Sequence, residues 1–190
     1  IEEWGLNEAL KKAKGMFALA LWDKRNQNLS LACDRIGEKP VYYGWVNDQF
    51  VFASELKAIK KFPEFKNPID RNSLALFLRF NSIPSPHSIY EDIFKLEPGH
   101  IIELHAGSKK LKKDCFWSIE EVCKKGSTAR FSGTPSEAVN QLEGVLLNAV
   151  SSQMESDVPL GAFLSGGIDS STIVALMQSN SNVQVNTFTI

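Results

Sequence analysis

Several features that define common protein classes are missing from this sequence. Its three cysteines are an odd number and form no C-x-x-C pair, so neither a disulfide framework nor a zinc or redox motif is predicted. A formal net charge of -1 gives no general attraction to nucleic acids or anionic membranes. The longest apolar run, residues 16–22, is far shorter than the roughly 20 residues that cross a bilayer. We therefore expect no nucleic-acid partner, no membrane insertion and a reducing, cytoplasmic location.

Local charge and histidine placement add no site. The basic run at residues 109–113 is interpreted as a solvated turn without a function. The three histidines are scattered, and no pair has the spacing that would put two of them on one helical face. The composition, 43% hydrophobic and 23% charged, is typical of a packed globular protein. A length of 190 residues allows one complete unit and part of a second.

The first half of the chain predicts antiparallel β-structure with a few helices. A helix is predicted within residues 1–12 from its amphipathic spacing. Aromatic and β-branched runs separated by short turns predict consecutive strands, which are residues 16–22, 29–33, 40–46 and 49–54. Connections this short leave no room for helical crossovers, so the strands are expected to be antiparallel. Further elements are predicted as helices at residues 55–62 and 70–80, the latter capped by Asp70, and a strand at 98–107.

The second half predicts a change of fold class. Small polar residues at 125–133 indicate a linker, and a capping box of Thr134, Pro135 and Glu137 begins a helix. Its apolar face is expected to contain Ala138, Leu142, Val145, Leu146, Ala149 and Met154. A buried strand at residues 158–164, a helix from 172 and a parallel strand at 184–190 follow. The predicted fold is α+β followed by α/β.

The loop "SGGIDSS", residues 165–171, lies between the predicted strand and helix. Free backbone amides and the helix dipole make such a loop an anion site. Three serine hydroxyls, on Ser165, Ser170 and Ser171, add donors, and Asp169 is a candidate ligand for a Mg²⁺ ion that balances phosphate charge. No Gly-Lys-Ser/Thr follows the glycines, so this is not a Walker A loop. A polyphosphate is the expected ligand.

The loop resembles the pyrophosphate-binding loop of the ATP pyrophosphatases. The segments "GMFALALWD", "ACDRIGEKPVYYG" and "FASELKAI" resemble the later half of the glutaminase domain of glutamine-hydrolysing asparagine synthetases, and "VPLGAFLSGGIDSS" resembles the start of their synthetase domain. The resemblance implies an N-terminal-nucleophile hydrolase-like domain at 1–124, a linker at 125–133, and the first elements of an adenine-nucleotide α-hydrolase-like domain at 134–190. It covers almost the whole chain.

This family adenylates the side-chain carboxylate of aspartate with ATP and Mg²⁺, then transfers glutamine-derived ammonia to give asparagine, AMP and pyrophosphate. The resemblance therefore implies aspartate, glutamine and ATP as substrates, and is compatible with a homodimer of the complete enzyme. The positions that match its ATP and pyrophosphate site are Leu164, whose backbone would meet adenine, and Ser165, Gly166, Gly167, Asp169, Ser170 and Ser171.

The resemblance also shows departures. The family's nucleophile is an N-terminal cysteine, and Ile1 is not a counterpart, so no catalytic residue is assigned. The family's usual arginine before the aspartate of its R-D-x-x-G-x-K-P run is replaced by Cys33, and Asp34 is assigned to structure, with Arg35 left either to compensate or to point elsewhere. We expect a piece of a longer enzyme, inactive alone.

Two alternatives stay open at this point. A related carboxylate-adenylating enzyme, such as a β-lactam synthetase or a surface-polysaccharide amidotransferase, would share the adenylating loop. A non-catalytic nucleotide-binding module would bind ATP through the same loop without forming AMP.

Overall fold

The computed structural model describes residues 1–189, and the chain divides into two compact units, Ile1–Lys125 and Gly126–Ile190. The elements of the first unit are, in chain order, α1 (Gly5–Lys12), β1 (Ala18–Asp23), β2 (Asn28–Cys33), β3 (Tyr42–Val46), β4 (Gln49–Ala53), α2 (Leu56–Lys60), α3 (Arg71–Phe80), β5 (Ile93–Lys95), β6 (His100–His105) and β7 (Leu111–Cys115). The next helix, α4 (Ile119–Thr128), begins in the first unit and ends in the second. No helix within residues 1–189 is long and apolar enough to cross a membrane.

The strands of the first unit form two antiparallel sheets. One has the order β1-β2-β6-β7 and the other the order β4-β3-β5. The first two strands pair with each other, as do the third and fourth. The segment between residues 33 and 42, however, carries the chain from one sheet to the other. Two hairpins that are consecutive in sequence are therefore not neighbours in one sheet.

Successive side chains of a strand point to opposite faces of its sheet, and packing on both faces gives the first unit four layers. Leu31 packs with Tyr43 in the core between the two sheets, while Ala32 points to the other face of its strand and packs with Leu10 of α1. On the far side of the second sheet, Ile59 of α2 packs in a third cluster. The order of layers is helix, sheet, sheet, helix.

The second unit is a short parallel α/β arrangement. Its elements are α5 (Pro135–Gln153), β8 (Gly161–Phe163), α6 (Ile168–Ser179) and β9 (Asn186–Phe188). The strands β8 and β9 are parallel, joined through α6, and Val150 of α5 packs against Leu176 and Met177 of α6. This crossover gives the loop before α6 its place at the carboxyl end of β8.

Many of the sequence predictions are confirmed. The four consecutive strands and the helices that follow them are present. The strand expected at residues 184–190 forms β9 over Asn186–Phe188, and residue 190 lies outside the described residues. The capping box is also present, since the Glu137 N–H donates to Thr134 Oγ1 at 3.3 Å and the Thr134 N–H donates to Glu137 Oε2 at 2.7 Å.

Two expectations for the second unit are wrong. The strand predicted as buried at residues 158–164 is only three residues long, and its Phe163 side chain is 74% exposed, because β8 pairs with β9 alone within residues 1–189. The helix predicted from residue 172 begins at Ile168, because Gly167 takes the N-cap position, so residues 168–171 form the first turn of α6.

Three further expectations differ from the structure in detail. The later half of the basic run, with Lys112 and Lys113, is part of strand β7 rather than a turn. These two lysines lie on a sheet edge, where Lys112 Nζ reaches Glu103 Oε2 at 3.0 Å. Helix α4 extends to Thr128 and so includes the first residues of the predicted linker. On α5, Leu142 and Val145 are more than half exposed, because α6 packs against a face centred on Val150.

Candidate functional site

The loop between β8 and α6 changes chain direction over four residues. β8 ends at Phe163, and α6 begins at Ile168. Gly166 has a φ of 78°, in the left-handed region, which costs a residue with a side chain about 1–2 kcal/mol. Gly167 is the N-cap of α6 with extended backbone angles. The turn thus depends on glycine at the first of these positions.

The amino end of α6 presents free backbone amides. The first bond into the helix is donated by the Ser171 N–H to Gly167 O at 3.1 Å. The N–H groups of residues 168–170 precede it, and among residues 1–189 they have no acceptor. Together with the positive end of the helix dipole, these donors have the chemistry to bind an anion.

Gly167 leaves open space beside these amides. Its backbone angles are ones that any residue adopts, and a Cβ built on it would meet only Ser165 Oγ, at 3.6 Å. Neither the conformation nor the packing of the described chain therefore requires glycine here. A ligand that approaches the backbone closely would require it.

The polar side chains of the loop and of the first turn of α6 differ in their hydrogen bonds. The hydroxyls of Ser165 and Ser170 lie 3.0 Å apart, and Ser170 Oγ also donates to Gly167 O at 3.2 Å. Asp169 and Ser171 are exposed, and in the part of the chain that the structure describes their side chains make no hydrogen bond. The structure therefore brings two of the predicted site side chains into contact and leaves two facing solvent.

Leu164 is held by the strand beside it. Its N–H donates to Phe188 O at 2.8 Å, and its carbonyl accepts from Thr189 Oγ1 at 2.9 Å. Only one lone pair of this carbonyl remains for a ligand. Thr189 is a residue that sequence reasoning missed, because no local pattern indicates a contact between positions 25 residues apart.

The run "CDRIGEKP" in the first unit contains a second aspartate beside a glycine turn. The Asp34 carboxylate is buried and accepts five backbone N–H groups, at 2.7–3.3 Å, from residues 17, 36, 37, 38 and 39. Burial acts to raise the pKa of Asp34, but these donors outweigh it and hold that pKa below its ordinary value. Asp34 therefore stabilises the crossing between the sheets, which agrees with its assignment to structure.

The neighbours of Asp34 explain how the chain accommodates Cys33. The Cys33 thiol is buried, donates to Glu97 O at 3.1 Å, and has its pKa raised to about 11 by burial. Arg35 does not contact Asp34. Its guanidinium donates to Ala13 O and Lys11 O, both at 2.6 Å, at the carboxyl end of α1. Of the two options for Arg35, the structure supports the one in which it points elsewhere.

Two family models match the chain, one in each unit. Residues 1–117 match a glutamine amidotransferase domain, and residues 141–190 match asparagine synthase. The first match alone covers more than half of the chain and defines the class of the first unit. With both matches in this order, the chain belongs to the glutamine-hydrolysing asparagine synthetase family.

Curated relatives agree with the family. The chain is 33% identical over 186 residues to a putative asparagine synthetase (glutamine-hydrolyzing) 2 of Methanocaldococcus jannaschii, a match that covers 96% of this chain and 35% of that protein. It is 34% identical over 169 residues to asparagine synthetase (glutamine-hydrolyzing) 1 of Bacillus subtilis, covering 89% of this chain and 25% of the relative. The chain thus spans a quarter to about a third of the length of these relatives.

Proposed function

We propose that this chain contributes to an ATP-dependent amidotransferase that converts aspartate to asparagine with ammonia from glutamine. The names of the relatives support aspartate as the acceptor and glutamine as the ammonia source. In this proposal residues 1–124 belong to a glutaminase domain of the N-terminal-nucleophile hydrolase type. Residues 125–133 are the linker between the two domains, and residues 134–190 begin a synthetase domain with a parallel nucleotide-binding sheet.

The proposed reaction has three steps. A carboxylate oxygen of aspartate attacks the α-phosphorus of ATP, and the bond from that phosphorus to the bridging oxygen breaks, so that pyrophosphate leaves. Water cleaves glutamine to glutamate and ammonia. Ammonia attacks the acyl carbon of the adenylated aspartate, AMP leaves with the C–O electron pair, and a proton is released. Adenylation replaces a poor leaving group by a good one.

The observation that carries the proposal is the set of free amides at residues 168–170 beside the open space at Gly167. These groups fit the outer two phosphates of ATP, because backbone donors can approach phosphate oxygens where no Cβ intervenes. They would hold the leaving pyrophosphate as negative charge develops on it.

Asp169 is the proposed Mg²⁺ ligand. Among residues 1–189 no group of three side chains could hold a metal ion by itself. Mg²⁺ is often bound by one or two carboxylates together with substrate phosphates and water, so one exposed carboxylate beside a phosphate site fits. The metal would neutralise phosphate charge during transfer.

None of the three cysteines of this chain is proposed as the glutaminase nucleophile. Cys33 is buried and its high pKa keeps it protonated, whereas the nucleophile is a thiolate. Cys115 and Cys123 are internal residues and have no α-amino group to serve as the base.

The activity can be tested on the product of the complete gene. With aspartate, glutamine and ATP it should form asparagine, AMP and pyrophosphate in equal amounts, measured by ³¹P NMR and amino-acid analysis. Formation of ADP and phosphate, or transfer to another carboxylate but not aspartate, would reject this assignment.

The site can be tested with a matched pair of glycine substitutions in the 190-residue chain. Gly167→Ala should weaken binding of Mg²⁺-ATP at least about tenfold, because a methyl group enters the space proposed for phosphate. Gly144→Ala, on the exposed side of α5 with open space around it, should leave binding unchanged. Equal binding by both variants in calorimetry would argue against phosphate at Gly167.

A further inference from the structure

The space between the two sheets of the first unit is open at one end. Trp22 lies opposite Leu29 in the pairing of β1 with β2, and Leu29 packs against the core between the sheets. Directly paired residues share a face of their sheet, so Trp22 lies at the edge of that core. Trp22 is nonetheless 45% exposed. The core is therefore not closed at the end where β1 turns into β2.

The facing sheet contributes aromatic side chains to the same end. Trp45 and Phe50 pair across β3 and β4, with ring centroids 5.2 Å apart in an edge-to-face arrangement. Together with Trp22 and Leu104 they line a cavity of about 390 Å³, which we call the end cavity. Its size is within the roughly 300–1,000 Å³ of ligand pockets. The walls are thus largely apolar and come from both sheets.

Two opposite charges lie at the exposed rim of the end cavity. Asp48 is in the turn between β3 and β4, and Lys109 is in the loop between β6 and β7. Lys109 Nζ donates to Asp48 Oδ1 and lies 5.8 Å from the centre of the Trp45 ring. Both charged side chains are more than half exposed, so their pairing contributes little to stability. Lys109 belongs to the basic run for which the sequence predicts no function.

This ion pair retains hydrogen-bonding capacity on both sides. A lysine ammonium has three protons, and Asp48 accepts one of them. Within residues 1–189, Asp48 Oδ2 accepts no hydrogen bond. Because the two charges are in direct contact, a ligand that binds both must present an anion to Lys109 and a cation to Asp48 close together. An α-amino acid has its ammonium and its carboxylate on the same carbon atom.

We infer that the end cavity binds a free α-amino acid with a large apolar side chain. The ammonium of the ligand donates to Asp48 Oδ2, its carboxylate accepts from Lys109 Nζ, and its side chain enters the cavity beside Trp22 and Trp45. An aromatic side chain suits these walls, because aromatic rings bury a large area and pack favourably on each other. The end cavity lies in the first unit and contains no residue of the proposed nucleotide site.

The test titrates the ¹⁵N-labelled 190-residue chain with L-phenylalanine and follows the indole N–H resonances. Saturable shifts at millimolar ligand are expected for Trp22 and Trp45. The other two of the four tryptophans, Trp4 and Trp117, do not line the end cavity and serve as internal controls. Glycine lacks the side chain and 3-phenylpropionate lacks the ammonium, so each should bind at least about tenfold more weakly.

Variants test the two charges separately. Lys109→Met and Asp48→Asn keep a similar size and remove one charge each, and each should weaken phenylalanine binding about tenfold, the worth of one hydrogen bond to a charged group. Lys11→Met is the matched control, because Lys11 forms a comparable exposed pair with Glu8 at 2.7 Å on α1. This control should bind phenylalanine as the wild type does.

Several results would overturn the inference. Equal binding of 3-phenylpropionate and phenylalanine would show that the end cavity accepts apolar ligands regardless of their charge. Shifts of Trp22 and Trp45 with glucose or adenine, but not with phenylalanine, would assign the cavity to another class of ligand. Unshifted indoles at millimolar phenylalanine, or wild-type binding by Lys109→Met, would reject the site. None of these results bears on the nucleotide site, which pyrophosphate probes separately.

Discussion

Asp34 and Asp169 lie beside turns of similar composition but use their surroundings in opposite ways. In the first unit, the backbone amides of residues 36–39 converge on the Asp34 carboxylate, which is buried among them. In the second unit, the amides of residues 168–170 have no acceptor within the described chain, and the Asp169 carboxylate faces solvent. The first turn contains its own anion, and the second is open to one.

This difference separates a structural aspartate from one that we propose to be functional. A carboxylate with its hydrogen-bonding capacity filled by backbone donors stabilises a fold and has little capacity for a ligand. Donors without a partner at a helix end, next to an exposed carboxylate, fit an anion together with its metal ion. Both turns follow a strand and contain a glycine, so composition alone does not distinguish them.

The largest expected effect is on stability at Asp34. Asp34→Asn replaces one carboxylate oxygen by a donor that faces backbone N–H groups, so we expect the first unit to lose about 3 kcal/mol or more of unfolding free energy. Urea unfolding followed by tryptophan fluorescence reports this unit selectively, because all four tryptophans lie within residues 1–125.

Asp169→Asn is the matched control. It removes an exposed charge from the first turn of α6, in the second unit, so the unfolding midpoint reported by the tryptophans should stay at the wild-type value. Equal unfolding midpoints for wild type and Asp34→Asn would show that the buried carboxylate is not the support of its turn.

The next effect is on catalysis at Asp169. In the product of the complete gene, Asp169→Asn should lower AMP formation by about a hundredfold or more if the carboxylate holds Mg²⁺, since electrostatic stabilisation of a transferring phosphate is worth several kcal/mol. Glutamine hydrolysis should persist at least in part. Normal AMP production at saturating Mg²⁺ would leave Asp169 with no role beyond the helix end.

A smaller effect is expected on the pH dependence of the stability of the first unit. The pKa of Asp34 in the folded chain lies below its value of about 3.9 in the unfolded chain. The contribution of the ionised Asp34 to the free energy of unfolding is therefore fully present above the unfolded pKa. The contribution is lost as the pH falls through the lower, folded pKa. The stability difference between wild type and Asp34→Asn should therefore narrow as the pH falls below about 4. Urea midpoints measured from pH 6 to pH 3 test this, and a difference that widens in acid would contradict the sign.

The smallest effect distinguishes the two glycines of the second turn. Gly166→Ala should destabilise α6 by about 1–2 kcal/mol, because alanine resists the left-handed conformation. Gly167→Ala should change the stability of α6 by less than about 0.5 kcal/mol, as expected for a substitution at a surface position without backbone strain. Hydrogen exchange at the buried Leu176 and Met177 amides measures both. Equal protection of these amides from hydrogen exchange in the two variants would show that Gly166 and Gly167 do not differ in their effect on stability.

Sequence reasoning predicted most of the regular elements because their patterns are local. The alternation of β1–β4 and the capping box at Thr134 depend only on neighbouring residues. Strand β7 was missed because Lys112 and Lys113 suggest solvent, whereas a sheet edge tolerates charge when partners such as Glu103 lie opposite. The three residues of β5 are too few to give a periodic signal.

The sequence predicted the residues of the candidate site but not their arrangement. The glycines, the serines and Asp169 follow from the order strand, loop and helix. Which hydroxyl groups already have a hydrogen-bond partner depends on the contact between Ser165 and Ser170, which are five positions apart on either side of the left-handed Gly166. The departure at Cys33 was visible, but the bonds of Arg35 to the end of α1 required the folded chain.

The most direct test of the contrast between the two turns is a titration of the ¹⁵N-labelled chain with Mg²⁺-pyrophosphate, with both sets of amides observed in one spectrum. We predict saturable shifts of the amide resonances of residues 166–170. We predict none for residues 36–39, because these amides already donate to Asp34. Shifts of similar size in both sets, or none at residues 166–170 at millimolar pyrophosphate, would contradict the account.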